Sequence, residues 1–152
     1  GFGSNDLVLV LGGSGNDTLT GTTFADVLDG NNLNVNNADN DILTGGDGDD
    51  QLLGRAGNDT LNGGNNNDTI DGGAGDDTVT GGAGADTQIG GLGTDTLNYA
   101  ASAAVTVNLA TNTVSGGDAT GDTISGFENV IGSAFADTLT GDANANTLTG
   151  GD

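Results

Sequence analysis

The sequence predicts an all-β chain wound as a flattened parallel solenoid. Three observations carry that prediction: a nine-residue period in glycine and aspartate, a polar–apolar–polar triplet at the end of each period, and a composition too poor in bulky side chains for a globular core. Of 152 residues, 31 are Gly, none is Pro, Cys, Met, Trp or His, and the aromatics are one Tyr and four Phe. With a hydrophobic fraction of 33%, apolar burial per residue is small against the entropy of ordering so much glycine.

The period is visible when the chain is aligned on glycine. GGSGNDTLT from Gly12 is followed by GTTFADVLD from Gly21, NNADNDILT from Asn36, GGDGDDQLL from Gly45 and GRAGNDTLN from Gly54. GGNNNDTID from Gly63, GGAGDDTVT from Gly72, GGAGADTQI from Gly81 and GGLGTDTLN from Gly90 continue it, making nine units, eight of them apolar at position eight. An earlier unit, GFGSNDLVL from Gly1, leaves Val10 and Leu11 as two extra residues, and an insertion at 30–35 precedes Asn36. The frame lapses over 99–131 and resumes with GSAFADTLT from Gly132 and GDANANTLT from Gly141. Residues 1–98 therefore read as one repeat block, 99–131 as a non-repeat spacer or capping segment, and 132–152 as the start of a second block. A chain that opens at Gly1 without Met and stops inside another unit is expected to be a piece of a longer array.

Within each unit, positions one to six carry turn chemistry. Glycines at one, two and four permit positive φ, and Asx residues at five and six tolerate turns. Positions seven to nine, as in Thr18-Leu19-Thr20, alternate as a short strand with one inward side chain. Such strands are too short to stand alone, so they must stack in parallel. Two units close one 18-residue coil, placing Leu19, Leu43, Leu61, Val79 and Leu97 in one inner column and Leu28, Leu52, Ile70 and Gln88 in the other. Gln88 is the misfit. Either Ile89 turns inward there, or the amide finds partners near the long insertion.

Charge sets the chemistry. Twenty-two acids against one base, Arg55, give a net charge of −21, which excludes nucleic acid and anionic membrane as partners. Without Cys or His there is neither thiolate nor imidazole chemistry, and what remains is oxygen ligation of hard cations, calcium above all. Position six is Asp in all nine units. Stacking makes one ladder of Asp17, Asp41, Asp59, Asp77 and Asp95, and a second of Asp26, Asp50, Asp68 and Asp86. Carboxylates about 5 Å apart repel by roughly 3 kcal/mol at an effective dielectric near 20. A calcium ion between each adjacent pair relieves this, which predicts about seven ions between residues 12 and 98. Backbone carbonyls of Gly13, Gly15, Gly46, Gly48, Gly57, Gly64, Gly73, Gly75, Gly82 and Gly84 are expected to complete the oxygen sets. Asp137 extends the list into the second block, whereas Asn146 replaces Asp in the last unit.

The units GGSGNDTLT, GGAGDDTVT and GGLGTDTLN resemble the haemolysin-type, or RTX, calcium-binding nonapeptide G-G-x-G-x-D-x-U-x, over about two-thirds of the chain. The resemblance implies a parallel β-roll with calcium between its turns. It also implies a bacterial protein that is secreted, by type I secretion, to the exterior or cell surface and folds there on meeting calcium. Segment 99–131 looks like the spacers of such proteins, and no ligands are assigned to it.

Other chemistries are weaker. Tyr99 with Glu128 suggests polysaccharide catalysis, but no base cluster or carboxylate pair of distinct environments accompanies them, and Tyr99 reads as a packing residue. Thr-x-Thr strands suggest an ice-binding face, yet Asp29, Leu53, Asn62 and Asp71 interrupt it. Asp47, Asp49, Asp71 and Asp76 are expected to face solvent, and Arg55 to pair with a nearby Asp. The expected role is a calcium-dependent structural module without catalytic activity and without membrane insertion. The alternative is a surface-layer or filament subunit that self-assembles through the open ends of the roll.

Overall fold

A computed structural model describes residues 7–31 and 38–151. The unit around Asp6 and most of the 30–35 insertion lie outside these residues. Ten strands precede the long interruption: β1 (Val8–Gly13), β2 (Thr18–Thr20), β3 (Asp26–Asn31), β4 (Ile42–Asp47), β5 (Gln51–Ala56), β6 (Thr60–Asn65), β7 (Thr69–Ala74), β8 (Thr78–Ala83), β9 (Thr87–Leu92) and β10 (Thr96–Asn98). Six lie within it or beyond: β11 (Thr106–Asn108), β12 (Thr113–Ser115), β13 (Thr123–Ser125), β14 (Asn129–Ile131), β15 (Thr138–Thr140) and β16 (Thr147–Thr149). One short 3-10 turn, Gly117–Ala119, completes the inventory of the described residues.

Odd and even strands separate into two parallel sheets, in the orders β1-β3-β5-β7-β9-β13 and β16-β14-β10-β8-β6-β4-β2. This is a parallel β-roll. Contrary to the expected three-residue strands, β3 to β9 each run six residues, because the chain stays extended through the first glycine positions. Short turns, such as Gly48–Asp50 between β4 and β5, reverse the chain, so consecutive strands lie on opposite faces and each stacks on the strand two units away. The register follows the period without slippage: Leu19 pairs with Leu43, Leu43 with Leu61, Leu61 with Val79 and Val79 with Leu97. On the facing sheet Leu28 pairs with Leu52, Leu52 with Ile70 and Ile70 with Gln88. Both predicted columns form. Leu28, Leu43, Leu52, Leu61, Ile70, Val79 and Leu97 are fully buried, and this narrow double column is the core.

Two further details differ from the sequence expectation. Val10 is not surplus: Val8 pairs with Asp26 and Val10 with Leu28, so counting back from Gly12 keeps the period and places Val10 under the column. Segment 99–131 also supplies coil strands. β13 adds to β9, and β14 to β10, with Val130 stacked on Leu97. Ahead of them in the chain an antiparallel hairpin, β11 with β12, forms a third sheet by pairing in parallel with β15 through Val107 and Leu139. Val105, Val107, Leu109, Ala119 and Phe127 are buried there.

Candidate metal centre

The turns joining the sheets are built by backbone geometry that only a few residue types accept. In the turns that begin at Gly12, Gly45, Gly54, Gly63, Gly72, Gly81 and Gly90, positions two and four both take positive φ. At Gly64, φ is +117° and an added Cβ would strike the Gly46 carbonyl one coil away, so glycine is required on two grounds. The two non-glycine residues in these slots, Arg55 at φ 82° and Asn66 at φ 79°, are held in the same left-handed region. Arg55 is anchored by a two-pronged pair with Asp29, at 3.1 Å through Nε and 2.8 Å through Nη2, as the lone base was expected to be.

This backbone brings the position-six aspartates into register. The Asp41 amide donates to Oδ1 of Asp59 at 2.7 Å, Asp59 to Asp77 at 2.8 Å and Asp77 to Asp95 at 2.9 Å. On the other margin Asp26 donates to Asp50, Asp50 to Asp68 and Asp68 to Asp86, at 2.8, 2.9 and 2.9 Å. Asp17 is partly exposed and donates to Asp41 at 2.9 Å. Among the described residues the Asp17 carboxylate accepts no such bond, whereas one oxygen of each ladder carboxylate from Asp41 and Asp50 onward is thus used. The other is not: Oδ2 of Asp17, Asp41, Asp50, Asp59, Asp68, Asp77, Asp86 and Asp95 is buried without a hydrogen-bond partner. A buried oxygen so orphaned costs about 1–3 kcal/mol, and more if ionised.

Protonation reflects the same strain. Burial first, then the neighbouring carboxylates, push Asp68 and Asp77 up to about 7 and Asp59 and Asp86 up to about 6. Burial raises Asp41, Asp50 and Asp95 as well. Backbone N–H donors oppose the shift in each case but do not cancel it.

These rungs fit a hard divalent cation. At Gly45, Gly54, Gly63 and Gly72 the space a Cβ would fill is bounded by Oδ2 of the same turn's aspartate and by the carbonyl of the position-one glycine one coil on. Among the described residues no three His, Cys, Asp or Glu side chains converge on a point, so carboxylates alone do not complete an oxygen set, and the bordering backbone carbonyls are the protein groups placed to add to it. The position-one carbonyls that border the orphaned oxygens were not in the predicted set. Those of positions two and four, such as Gly46, Gly57, Gly64 and Gly75, point up the stack towards the glycine at the same position of the next coil.

Several acidic positions differ from the rest. Asp26 keeps no orphan: Oδ1 accepts from the Val8 amide at 3.2 Å and Oδ2 from Thr22 at 2.5 Å. Asp137 accepts from the Val105 amide at 2.9 Å and the Ser133 hydroxyl at 2.8 Å. Slight burial works upward on Asp137, yet these donors hold it below the usual carboxylate range. Asp122 and Glu128, to which the sequence reading gave no place in the ladders, continue them: Asp86 donates to Asp122 and Asp95 to Glu128, both at 2.9 Å. The pattern acid-x-apolar-x-Gly in DTISG and ENVIG is the signal that could have found them. Asp47, Asp49 and Asp76 are exposed, as expected, and Asp71 is half-buried. Asp49 and Asp76 also belong to an outer position-five ladder, accepting from the amides of Asn67 and Thr94.

Gln88 is settled by the second of its two expected outcomes. It is fully buried, and its amide donates to Oδ2 of Asp122 at 2.8 Å and to the Tyr99 hydroxyl at 3.3 Å. Tyr99 in turn donates to Asp122 at 2.8 Å, so it packs and seals.

The model of the RTX calcium-binding nonapeptide repeat matches the sequence in four copies, over residues 11–32, 36–70, 62–97 and 117–152. No curated protein matches the chain. No helix among the described residues is long and apolar enough to cross a membrane.

Proposed function

This chain belongs to the RTX calcium-binding nonapeptide-repeat family, and we propose that it is a structural module of a larger secreted bacterial protein, with no catalytic activity of its own. In this reading the chain leaves the cell expanded, because a net charge of −21 opposes collapse, and closes outside the cell where calcium is abundant. The observation that carries the proposal is the row of buried, unpartnered Oδ2 atoms along both margins. Calcium between successive rungs would use those oxygens, with about seven ions between residues 12 and 98. Magnesium suits them less, since it demands a tight octahedron and keeps its water.

A second reading, a self-assembling surface-layer or filament subunit, is favoured by the open strands at the roll's ends. Among the described residues β1 and β16 each pair on one side only, and Leu9 and Leu11 on β1 are exposed there, as an edge that accepts another copy would be. One titration addresses both readings. Circular dichroism should move from coil to β as calcium rises to millimolar levels, with magnesium far less effective and a chelator reversing it. Light scattering on the same samples should report a monomer, whereas polymers appearing with calcium would favour the assembly reading. A chelated sample as ordered and heat-resistant as the calcium form would overturn the module.

A further inference from the structure

Three turns lack the backbone on which the calcium reading rests. In the turns 21–26, 132–137 and 141–146 neither position two nor position four takes positive φ, and both glycines are replaced: Thr22 and Phe24, Ser133 and Phe135, Asp142 and Asn144. All three share a different closure. The position-two side chain accepts the position-four amide: Phe24 to Thr22 Oγ1 at 3.2 Å, Phe135 to Ser133 Oγ at 3.1 Å, Asn144 to Asp142 Oδ1 at 2.9 Å. The position-two residue then donates to the position-six side chain. Thr22 amide reaches Asp26 Oδ2, Ser133 hydroxyl reaches Asp137 Oδ1, and Asp142 amide reaches Asn146 Oδ1 at 2.8 Å. This is a side-chain turn that supplies the N–H or O–H donor a cation would otherwise replace.

We propose that these three turns are calcium-free closures, and that calcium enters only the turns with left-handed backbone at positions two and four. The inference rests on the calcium reading above and narrows it, removing the Asp26–Asp50 pair from the roughly seven ion sites expected. Two independent observations point the same way. Asp26, Asp137 and Asn146 are absent from the buried side chains with unpartnered oxygens: although Asp26 Oδ2 and the Gly45 carbonyl border the same space beside Gly21, that oxygen already has a protein donor. Asn146 also fills its closure with a neutral amide, donating from Nδ2 to the Glu128 carbonyl at 2.9 Å while accepting from Asp142. A closure that works with Asn does not depend on negative charge. The sequence signature is G-[T/S/D]-x-[F/N]-A-[D/N], and it lies near both ends of the described roll. There it holds a margin without an ion, leaving a folded rung against which the calcium turns can close.

Bound calcium counted by native mass spectrometry and by calorimetric titration tests this on the full chain. Asp26→Asn and Asp137→Asn should each leave the ion count unchanged, while Asp68→Asn should lose at least one ion. The double change Thr22→Gly with Phe24→Gly, which restores the glycine pattern around Asp26, should add one ion. If Asp26→Asn or Asp137→Asn loses an ion as Asp68→Asn does, or if the glycine double variant binds no more than the parent, the closures are not calcium-free. If the parent chain binds no calcium, the underlying calcium reading fails instead, so the two failures are distinguishable.

Discussion

From Ile42 to Asn98 the roll is joined by glycine turns that bury an unpartnered carboxylate oxygen at each rung, whereas from Tyr99 to Gly151 the same winding is closed by protein donors. In the first region the acid is pushed up by burial; in the second, Asp137 is held down by N–H and O–H groups. The contrast shows that one solenoid can settle its margins in two ways. A regular glycine turn places oxygens identically and leaves their charge to an external ion. An irregular turn brings its own donors and gives up the repeat. Stability in such an array is close to a sum over neighbouring coils, so the two regions should respond separately to perturbation.

The largest separation is expected in the core. Leu61 is fully buried between Leu43 and Val79, and Leu61→Ala should cost about 2–5 kcal/mol in calcium because a column one residue wide cannot collapse around the gap. Leu148 sits on the terminal strand at 38% exposure, and its truncation should cost under about 1 kcal/mol. Denaturant midpoints compare the two. Equal losses would mean that the core is not the stacked column that the register describes.

Next in size is the response to pH without calcium. In calcium-free conditions, Asp68 and Asp77 rise from an ordinary 3.8 to about 7 on folding, so the folded state binds protons more tightly than the unfolded one. Their penalty is absent below about pH 4, grows as pH rises through the interval, and is complete above about pH 7. Calcium-stripped protein should therefore melt higher at about pH 5 than at about pH 8, with calcium reversing that order by displacing the protons. Asp137 has the opposite sign, losing its contribution only as pH falls through its lowered range. Calcium-stripped protein that melts higher at the alkaline end would show that the ladder acids are solvated.

Much of this was legible in the sequence because the period is odd in residues and even in faces. Nine residues per half-coil fix which Leu stacks on which, and Leu19 to Leu97 follow without any knowledge of the turns. The ladders of Asp17 and Asp26 come from the same arithmetic. What escaped was what breaks the count. Glu128 follows Gly126 after one residue instead of four, so a frame of fixed length passes over it, although its longer arm reaches the Asp95 amide. The hairpin 106–115 is antiparallel, a pairing that no nonapeptide rule describes. The exceptional turn at Asp26 was legible in part: its unit lacks the glycines at positions two and four, which sets its site apart, but position six looks the same in both kinds of turn and the side-chain closure itself does not show in the residue types.

The smallest effect is expected at the seam between the regions. Beside Gly81, the place that a glycine carbonyl takes in the neighbouring rungs is occupied by Nε2 of Gln88, a donor where an acceptor stands elsewhere. Gln88→Leu would remove a bond to Asp122 worth about 1.5–3 kcal/mol. It would also remove the buried Oε1, which has no partner, at a return of about 1–3 kcal/mol. The new side chain would join the column between Ile70 and Ile124, and Tyr99 would keep its bond to Asp122. These terms nearly cancel, so unfolding in calcium should shift by no more than about 1 kcal/mol in either direction. A loss of about 3 kcal/mol or more would mean that the amide is indispensable, and that the seam is held by the Gln88–Asp122 bond rather than by Tyr99 and the column around it.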